Sequence, residues 1–135
     1  MTAPMSDAEY RSLARFRHAL RTFQRFSETA ARDAGITPAQ HQLLLAVRGH
    51  DGGSDPSLSE VAERLQLKLH SAGELVDRAV ANGLVERRSD PSDARRALLS
   101  LTTSGGAQLA ALSVLHRAEL RRFRREMNDV LRELD

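Results

Sequence analysis

Ser57-Leu58-Ser59-Glu60-Val61-Ala62-Glu63-Arg64-Leu65 and, after a turn at Gln66 to Leu69, His70-Ser71-Ala72-Gly73-Glu74-Leu75-Val76-Asp77-Arg78-Ala79-Val80-Ala81-Asn82-Gly83 decide the fold. In the first segment Ser57 and Glu60 have the spacing of a capping box, and Leu58, Val61, Ala62 and Leu65 fall on one face of a short helix. In the second, Ala72, Leu75, Val76, Ala79 and Val80 form another apolar face, with Ser71 and Glu74 as a candidate cap and Asn82-Gly83 as the stop. Two short helices separated by a tight turn, over residues 58 to 82, make a helix-turn-helix.

Downstream, Leu84-Val85-Glu86-Arg87-Arg88 and Ala97-Leu98-Leu99-Ser100-Leu101 read as two short strands around a polar, proline-containing loop from Ser89 to Arg96, which predicts a hairpin. Upstream, Thr37-Pro38-Ala39-Gln40 combines a Thr cap, Pro in the first turn and Gln at the capping-box position, so a helix runs to about Arg48 before the loop His50 to Pro56 breaks it. At the start of the chain, Leu13, Phe16, Leu20, Phe23, Ser27 and Ala30 line one side of a helix from about Asp7 to Ala34, capped by Ser6 with Glu9 and ended by Gly35. At the other end Leu109, Leu112, His116, Leu120, Phe123, Met127, Val130 and Leu134 repeat that spacing behind a Thr102 cap. Each of these helices is longer than the middle of a small chain can cover. The expectation is therefore a two-fold homodimer with Leu13, Leu120, Phe123, Met127, Val130 and Leu134 at its interface; the alternative is packing within one chain. The fold class is mainly α with a small β-hairpin wing. One domain spans 1–135, with terminal helices at 6–34 and 102–135 around a lobe at 37–101.

Composition bounds the chemistry. The 135 residues are 41% hydrophobic but only 4% aromatic, with no Trp, so the core must be built from Leu, Val and Ala, which suits helices. Without Cys there is no disulfide, thiolate nucleophile, thiol-based oxidation sensor or cysteine-ligated metal site. No Gly-x-Ser-x-Gly or phosphate loop occurs, which argues against an enzyme, and no cofactor is expected. The N-terminus lacks a charged start followed by an apolar run, and no eighteen apolar residues stand together, so a cytoplasmic protein without membrane contact is expected. Net charge is only +2, yet Arg11, Arg15, Arg17, Arg21 and Arg25 cluster near the start and Arg117, Arg121, Arg122, Arg124 and Arg125 near the end. Such runs are ordinarily solvated faces of long helices.

A helix-turn-helix followed at once by a hairpin is the arrangement in which the second helix enters a major groove while the hairpin reaches the neighbouring minor groove or backbone. The residues also resemble the MarR family of bacterial regulators, in Leu58 to Leu65, Leu75-Val76-Asp77-Arg78, Gly83-Leu84-Val85, Arg87-Arg88, and Asp90-Pro91-Ser92-Asp93-Ala94-Arg95-Arg96 leading into Leu101-Thr102. The resemblance spans nearly the whole chain. Its most specific part is Asp93-x-Arg95, which implies an arginine at the wing tip that enters a minor groove and an aspartate that holds it. A guanidinium is attracted by the negative potential of a narrow minor groove, and a carboxylate can fix a floppy side chain.

On the second helix the groove side is expected to present His70, Ser71, Gly73, Glu74, Asp77 and Arg78. Lys68, His70 and Ser71 are the candidates for base edges or nearby phosphates, and Arg78 for a phosphate or for pairing with Asp77. Arg64, Arg88 and Arg96 complete the expected DNA-binding set. Gly73 stands where the family commonly has a larger side chain, at a helical cost of ~1 kcal/mol relative to Ala. Ala79 stands where the family generally has Leu, which thins the core.

The resemblance implies a dimer on a pseudo-palindromic operator, released when a small, often aromatic or phenolic molecule enters a pocket between the terminal helices and the DNA-binding lobe. Phe16, Leu20, Phe23, His41, Leu44 and His116 are candidates for that pocket, with plain core packing as the alternative. Two further readings stay open: a winged helix that binds protein instead of DNA, and a regulator responsive to a metal held by His41 and His116. The latter pair lacks the four ligands zinc prefers, so no metal site is expected.

Overall fold

Three capping boxes set three helix starts. Each hydroxyl accepts a hydrogen bond from the backbone N–H three residues on, and the Glu or Gln there accepts from the capping residue's N–H: Ser6 with Glu9, Thr37 with Gln40, Ser57 with Glu60. They open α1 (Asp7–Asp33), α2 (Pro38–Arg48) and α3 (Leu58–Leu65). The chain continues through α4 (Leu69–Ala81), β1 (Val85–Asp90), β2 (Asp93–Leu101) and α5 (Thr103–Glu133), in a computed structural model that describes residues 2–134. Met1 and Asp135, the outermost positions of the expected domain, lie outside the described residues. No described helix is long and apolar enough to cross a membrane.

The link between α3 and α4 is tight because Gln66 takes a left-handed conformation, φ 56°, closing α3 while the Leu67 N–H returns to the Ala62 carbonyl at 2.9 Å. α4 starts at Leu69, three residues earlier than a Ser71 and Glu74 cap would place it; Lys68 is the N-cap and supplies no side-chain hydrogen bond. The helical face also differs at one end. Val80, expected to be buried, is 41% exposed, because the core side of α4 is carried by Ala72, Val76 and Ala79. Gly83 follows with φ 73°, a conformation costly for any side chain, and lets the Leu84 N–H reach the Ala79 carbonyl at 2.9 Å before β1 begins.

β1 and β2 form one antiparallel ribbon, from Val85 opposite Leu101 to Asp90 opposite Asp93, with an irregularity between Ser89 and Asp90. Most of the expected Ser89–Arg96 loop is therefore strand, and only Pro91 and Ser92 lie between the two. The Asp90 carboxylate makes this possible by accepting from both the N–H and the hydroxyl of Ser92, at 2.9 and 2.8 Å. Those bonds, with Arg96 and Arg88 nearby, also hold its pKa below the usual carboxylate range.

Leu43, Leu44, Val61, Val76, Leu84, Leu99, Leu109 and Leu112 belong to one core that joins α2, α3, α4, the hairpin and the first half of α5. Ala79 sits fully buried among them, so its neighbours close over the small side chain. α1 and α5 lie against one another within the chain. Phe23 and Phe123 meet at 5.2 Å between ring centroids, the Ser12 hydroxyl donates to Glu133 at 2.7 Å, and Arg15 pairs with Glu133. Phe123 and Met127 are thus half-buried and Val130 is buried by their own chain, whereas Leu13, Leu120 and Leu134 stay exposed together with Tyr10 and Leu131. The terminal stripes divide between internal packing and an uncovered flank. Of the Arg runs, Arg15 and Arg122 are in ion pairs, the latter with Glu119 and Glu126.

Candidate nucleic-acid interface

Ion pairs tie the hairpin to the helix-turn-helix. Arg87 of β1 reaches Asp77 of α4 at 3.0 Å, and Arg96 of β2 reaches Glu60 at the start of α3 at 2.6 Å. Asp77 is therefore engaged by Arg87 across the chain, and the expected pairing of Arg78 with Asp77 is replaced: neighbours one apart on a helix diverge, while the ribbon brings Arg87 alongside. Glu60 also faces His50 at 3.2 Å, and its pKa is lowered chiefly by its hydrogen bonds with Ser57, then by Arg96 and His50. A carboxylate that caps a helix and anchors the wing together ties the two elements to one another.

At the turn of the hairpin, Asp93 accepts a hydrogen bond from the Arg95 N–H at 3.1 Å and lies 3.5 Å from Arg95 Nε. The Arg95 side chain is 93% exposed, so its guanidinium stands free at the end of a stem that the carboxylate orients. Arg87, Arg88, Arg95 and Arg96 all line one shallow concavity of about 230 Å3 on the ribbon. Each of the four guanidinium groups has a carboxylate partner, Arg87 with Asp77, Arg88 with Asp55, Arg95 with Asp93 and Arg96 with both Glu60 and Asp90, so the ribbon gathers its arginines into a network of paired charge.

On α4, Lys68, His70, Ser71, Glu74 and Arg78 are all exposed, and His70 Nε2 lies 3.2 Å from Glu74 one turn on. The first-turn amides of α4 lack a side-chain cap, so they are open to an acceptor such as a phosphate oxygen. Arg64 on α3 is exposed and pairs with Asp51 at 3.3 Å, and Arg88 pairs with Asp55 at 2.9 Å. Every sequence-derived cation of the set therefore lies on the surface, but Arg64, Arg88 and Arg96 are held in pairs that DNA would have to loosen or share.

The second set of candidates divides. His41 and His116 come together, ring centroids 5.0 Å apart, with His116 also edge-on to Phe23 and Phe26. Both His116 nitrogens are committed: Nδ1 donates to the Leu112 carbonyl at 2.7 Å, which leaves Nε2 to accept from the Ser27 hydroxyl at 2.9 Å. His41 is 4% exposed and its Nδ1 has no partner among the described residues. Burial first, and then the nearby His116, lower its pKa from 6.5. Leu44 is fully buried in the core and Phe16 is half-buried on α1. Leu20 and Phe23 line an open groove of about 450 Å3 between α1 and α2, together with Gln24, Ser27 and Gln42. Ser27, which the spacing assigns to an apolar stripe, and Phe26, off that stripe, are the members of this cluster that sequence reasoning misses. No group of three or more potential ligands is gathered among the described residues, and both His116 nitrogens are engaged in hydrogen bonds.

Comparison with known proteins agrees with this geometry. A model of the MarR family matches residues 34–96, from the end of α1 into β2. The HTH-type transcriptional repressor NicR of Pseudomonas putida is 30% identical over 115 residues, 82% of this chain and 71% of the relative. The HTH-type transcriptional repressor MdtR of Bacillus subtilis is 29% identical over 89 residues, 66% of this chain and 56% of that protein. Among solved structures, a mutant of MarR from E. coli complexed with operator DNA superposes with a TM-score of 0.68 at 26% identity, covering 78% of this chain and 74% of that one. With its helix-turn-helix, its paired-strand wing and these relatives, the chain belongs to the MarR family.

Proposed function

We propose that this chain is a transcriptional repressor that binds a pseudo-palindromic operator as a homodimer, with α4 in the major groove and the wing in the adjoining minor groove or along the backbone. The observation that carries the reading is the four-arginine concavity of the ribbon, with Arg95 oriented by Asp93, fastened by Arg87 to the helix that presents Lys68, His70 and Ser71. Phosphates are neutralised by such guanidinium and ammonium groups, while sequence is read at base edges by the helix. Both named relatives are transcriptional repressors, and the MarR structure carries operator DNA, which supports the same role here. The uncovered Leu13, Leu120 and Leu134 supply the contact between copies.

Release is assigned to a small aromatic or phenolic molecule entering beside Leu20, Phe23, Ser27 and His41. That neighbourhood offers aromatic faces, a hydroxyl and a buried ring nitrogen without a partner, and it lies where α1, α2 and α5 meet. A ligand there shifts the position of the lobe on its terminal helices and so the distance between the two recognition helices, which operator half-sites require to be about 34–36 Å.

The test is equilibrium binding to the duplex upstream of the protein's own gene and to a scrambled duplex over a range of salt. Preference for the native sequence, with affinity falling steeply as salt rises, supports the reading. Equal affinity for both duplexes at every salt concentration refutes it and favours a protein partner.

A further inference from the structure

The loop between α2 and α3 is fastened at both ends. At its start His50 Nε2 lies 3.2 Å from Glu60 of α3, and Gly52 folds so close to that imidazole that a methyl group on it would stand 2.6 Å from Nε2. At its end the Pro56 carbonyl accepts from the Leu99 N–H at 2.9 Å and Ser57 makes a β-bridge to Leu98, so the chain runs along the edge of β2 that β1 leaves open. Two carboxylates stand on this tether, and each takes an arginine of a different element. Asp51 lies 3.3 Å from a terminal nitrogen of Arg64 on α3, and Asp55 lies 2.9 Å from a terminal nitrogen of Arg88 on β1. Leu98 has Arg88 opposite it on one side of β2 and Ser57 on the other, so Asp55 and Arg88 meet across the width of that strand.

These pairs differ from the one at the wing tip. Asp93 meets Arg95 through Nε, on the stem side of the guanidinium, and that side chain is 93% exposed. Asp51 and Asp55 instead hold terminal nitrogens, at the end of the fork that a phosphate oxygen would approach. We infer that the α2–α3 loop is an internal competitor of DNA, in which Asp55, helped by Asp51, holds Arg88 and Arg64 in pairs that a duplex must displace, so that the loop lowers affinity for the phosphate backbone. The inference rests on the proposed DNA-binding role and adds an autoinhibitory contact to it. Its strength follows from exposure. The Arg88 and Asp55 side chains are 51% and 40% exposed, so their pair is worth a few-fold in an equilibrium constant, and a duplex offering many phosphates can displace it. Asp55 carries more of the effect than Asp51, because it adjoins the Pro56 bond to β2 whereas the Asp51 side chain is almost fully exposed.

A double-mutant cycle on the full chain tests this, read as equilibrium affinity at one low salt concentration for the duplex upstream of its own gene and for a scrambled duplex. Asp55→Asn removes the charge and keeps the shape, and affinity for both duplexes should rise about two- to fivefold, the strength of one exposed ion pair. Asp51→Asn should raise it less, and the two together more than either alone. In an Arg88→Gln background Asp55→Asn should lose most of its gain. Glu86→Gln, which removes an exposed acid from the same strand as Arg88, separates the freeing of a guanidinium from a mere change of net charge and should fall short of the Asp55→Asn gain. Unchanged or weaker binding by Asp55→Asn, a gain that persists without Arg88, or an equal gain from Glu86→Gln overturns this inference and leaves the regulator reading standing. A parent protein that does not prefer the native duplex to the scrambled one overturns the regulator reading and the inference with it.

Discussion

Two adjacent glycines at the start of α5 are expected to respond in opposite directions to the same substitution. A methyl group on Gly105 would lie 2.0 Å from the Leu84 carbonyl oxygen, 2.9 Å from its carbonyl carbon and 3.2 Å from its Cα. Relief requires backbone to move by more than an ångström, and that backbone is held three ways. The Leu84 N–H donates to the Ala79 carbonyl at 2.9 Å, the Thr102 N–H donates to the Leu84 carbonyl at 3.1 Å, and the Thr102 hydroxyl donates to the Gly83 carbonyl at 2.6 Å. Overpacking a well-packed site costs typically ~1–3 kcal/mol, and with rigid backbone as the obstacle Gly105→Ala belongs at the upper end. At roughly 4 °C per kcal/mol for a domain of this size, Tm should fall by about 10 °C. Gly106 has nothing within 4 Å of its added methyl and lies in the same helix, so Gly106→Ala should gain about 0.5–1 kcal/mol from reduced freedom of the unfolded chain and better helix propensity. Thermal and urea unfolding of the two variants, side by side with the parent, decide the matter. Equal stabilities for the two variants, or a Gly105→Ala protein as stable as the parent, would refute this packing of α5 on the lobe.

Arg95→Ala should weaken operator binding by about 1–3 kcal/mol in a direct titration without changing helical content, since its side chain is 93% exposed and pairs with its near neighbour Asp93. Lys68→Ala should reduce the slope of affinity against salt by about one counterion. Folded His41 takes up its proton at lower pH than in the unfolded chain, so stability is complete above about pH 6.5 and is lost as pH falls from there through the lowered value. Urea midpoints at pH 7.5 and 5.5 should therefore drop more in the parent than in His41→Leu, and an equal drop would contradict the burial argument. Leu13→Glu combined with Leu120→Glu places charge on two exposed side chains, so sedimentation should show folded monomer; an unchanged dimer would move the interface elsewhere.

What could be read from the sequence was what local chemistry fixes. The pairs Ser6 with Glu9, Thr37 with Gln40 and Ser57 with Glu60 announced three helix starts because each box satisfies two backbone groups at a fixed spacing. The start of α4 was misplaced because Lys68 caps without a side-chain bond and so leaves no such mark. The strands proved longer than their apolar cores because the outer half of a two-stranded ribbon, Ser89 to Arg96, is solvated on both faces and shows no alternation. The Asp93-x-Arg95 pair was legible through the family resemblance, and its carboxylate and arginine meet within two residues. The anchoring of the wing by Arg87 and Arg96 and the meeting of His41 with His116 join residues from separate elements, and only tertiary packing brings them together.

In the proposed complex two copies of α4 and of the wing engage successive turns of one duplex. Hydroxyl-radical footprinting of the full chain on the DNA upstream of its gene tests this most directly. Two symmetric protected segments centred about one helical turn apart are expected, flanked by protection that disappears in Arg95→Ala. A single unpaired segment, or protection identical on an unrelated duplex, would contradict it.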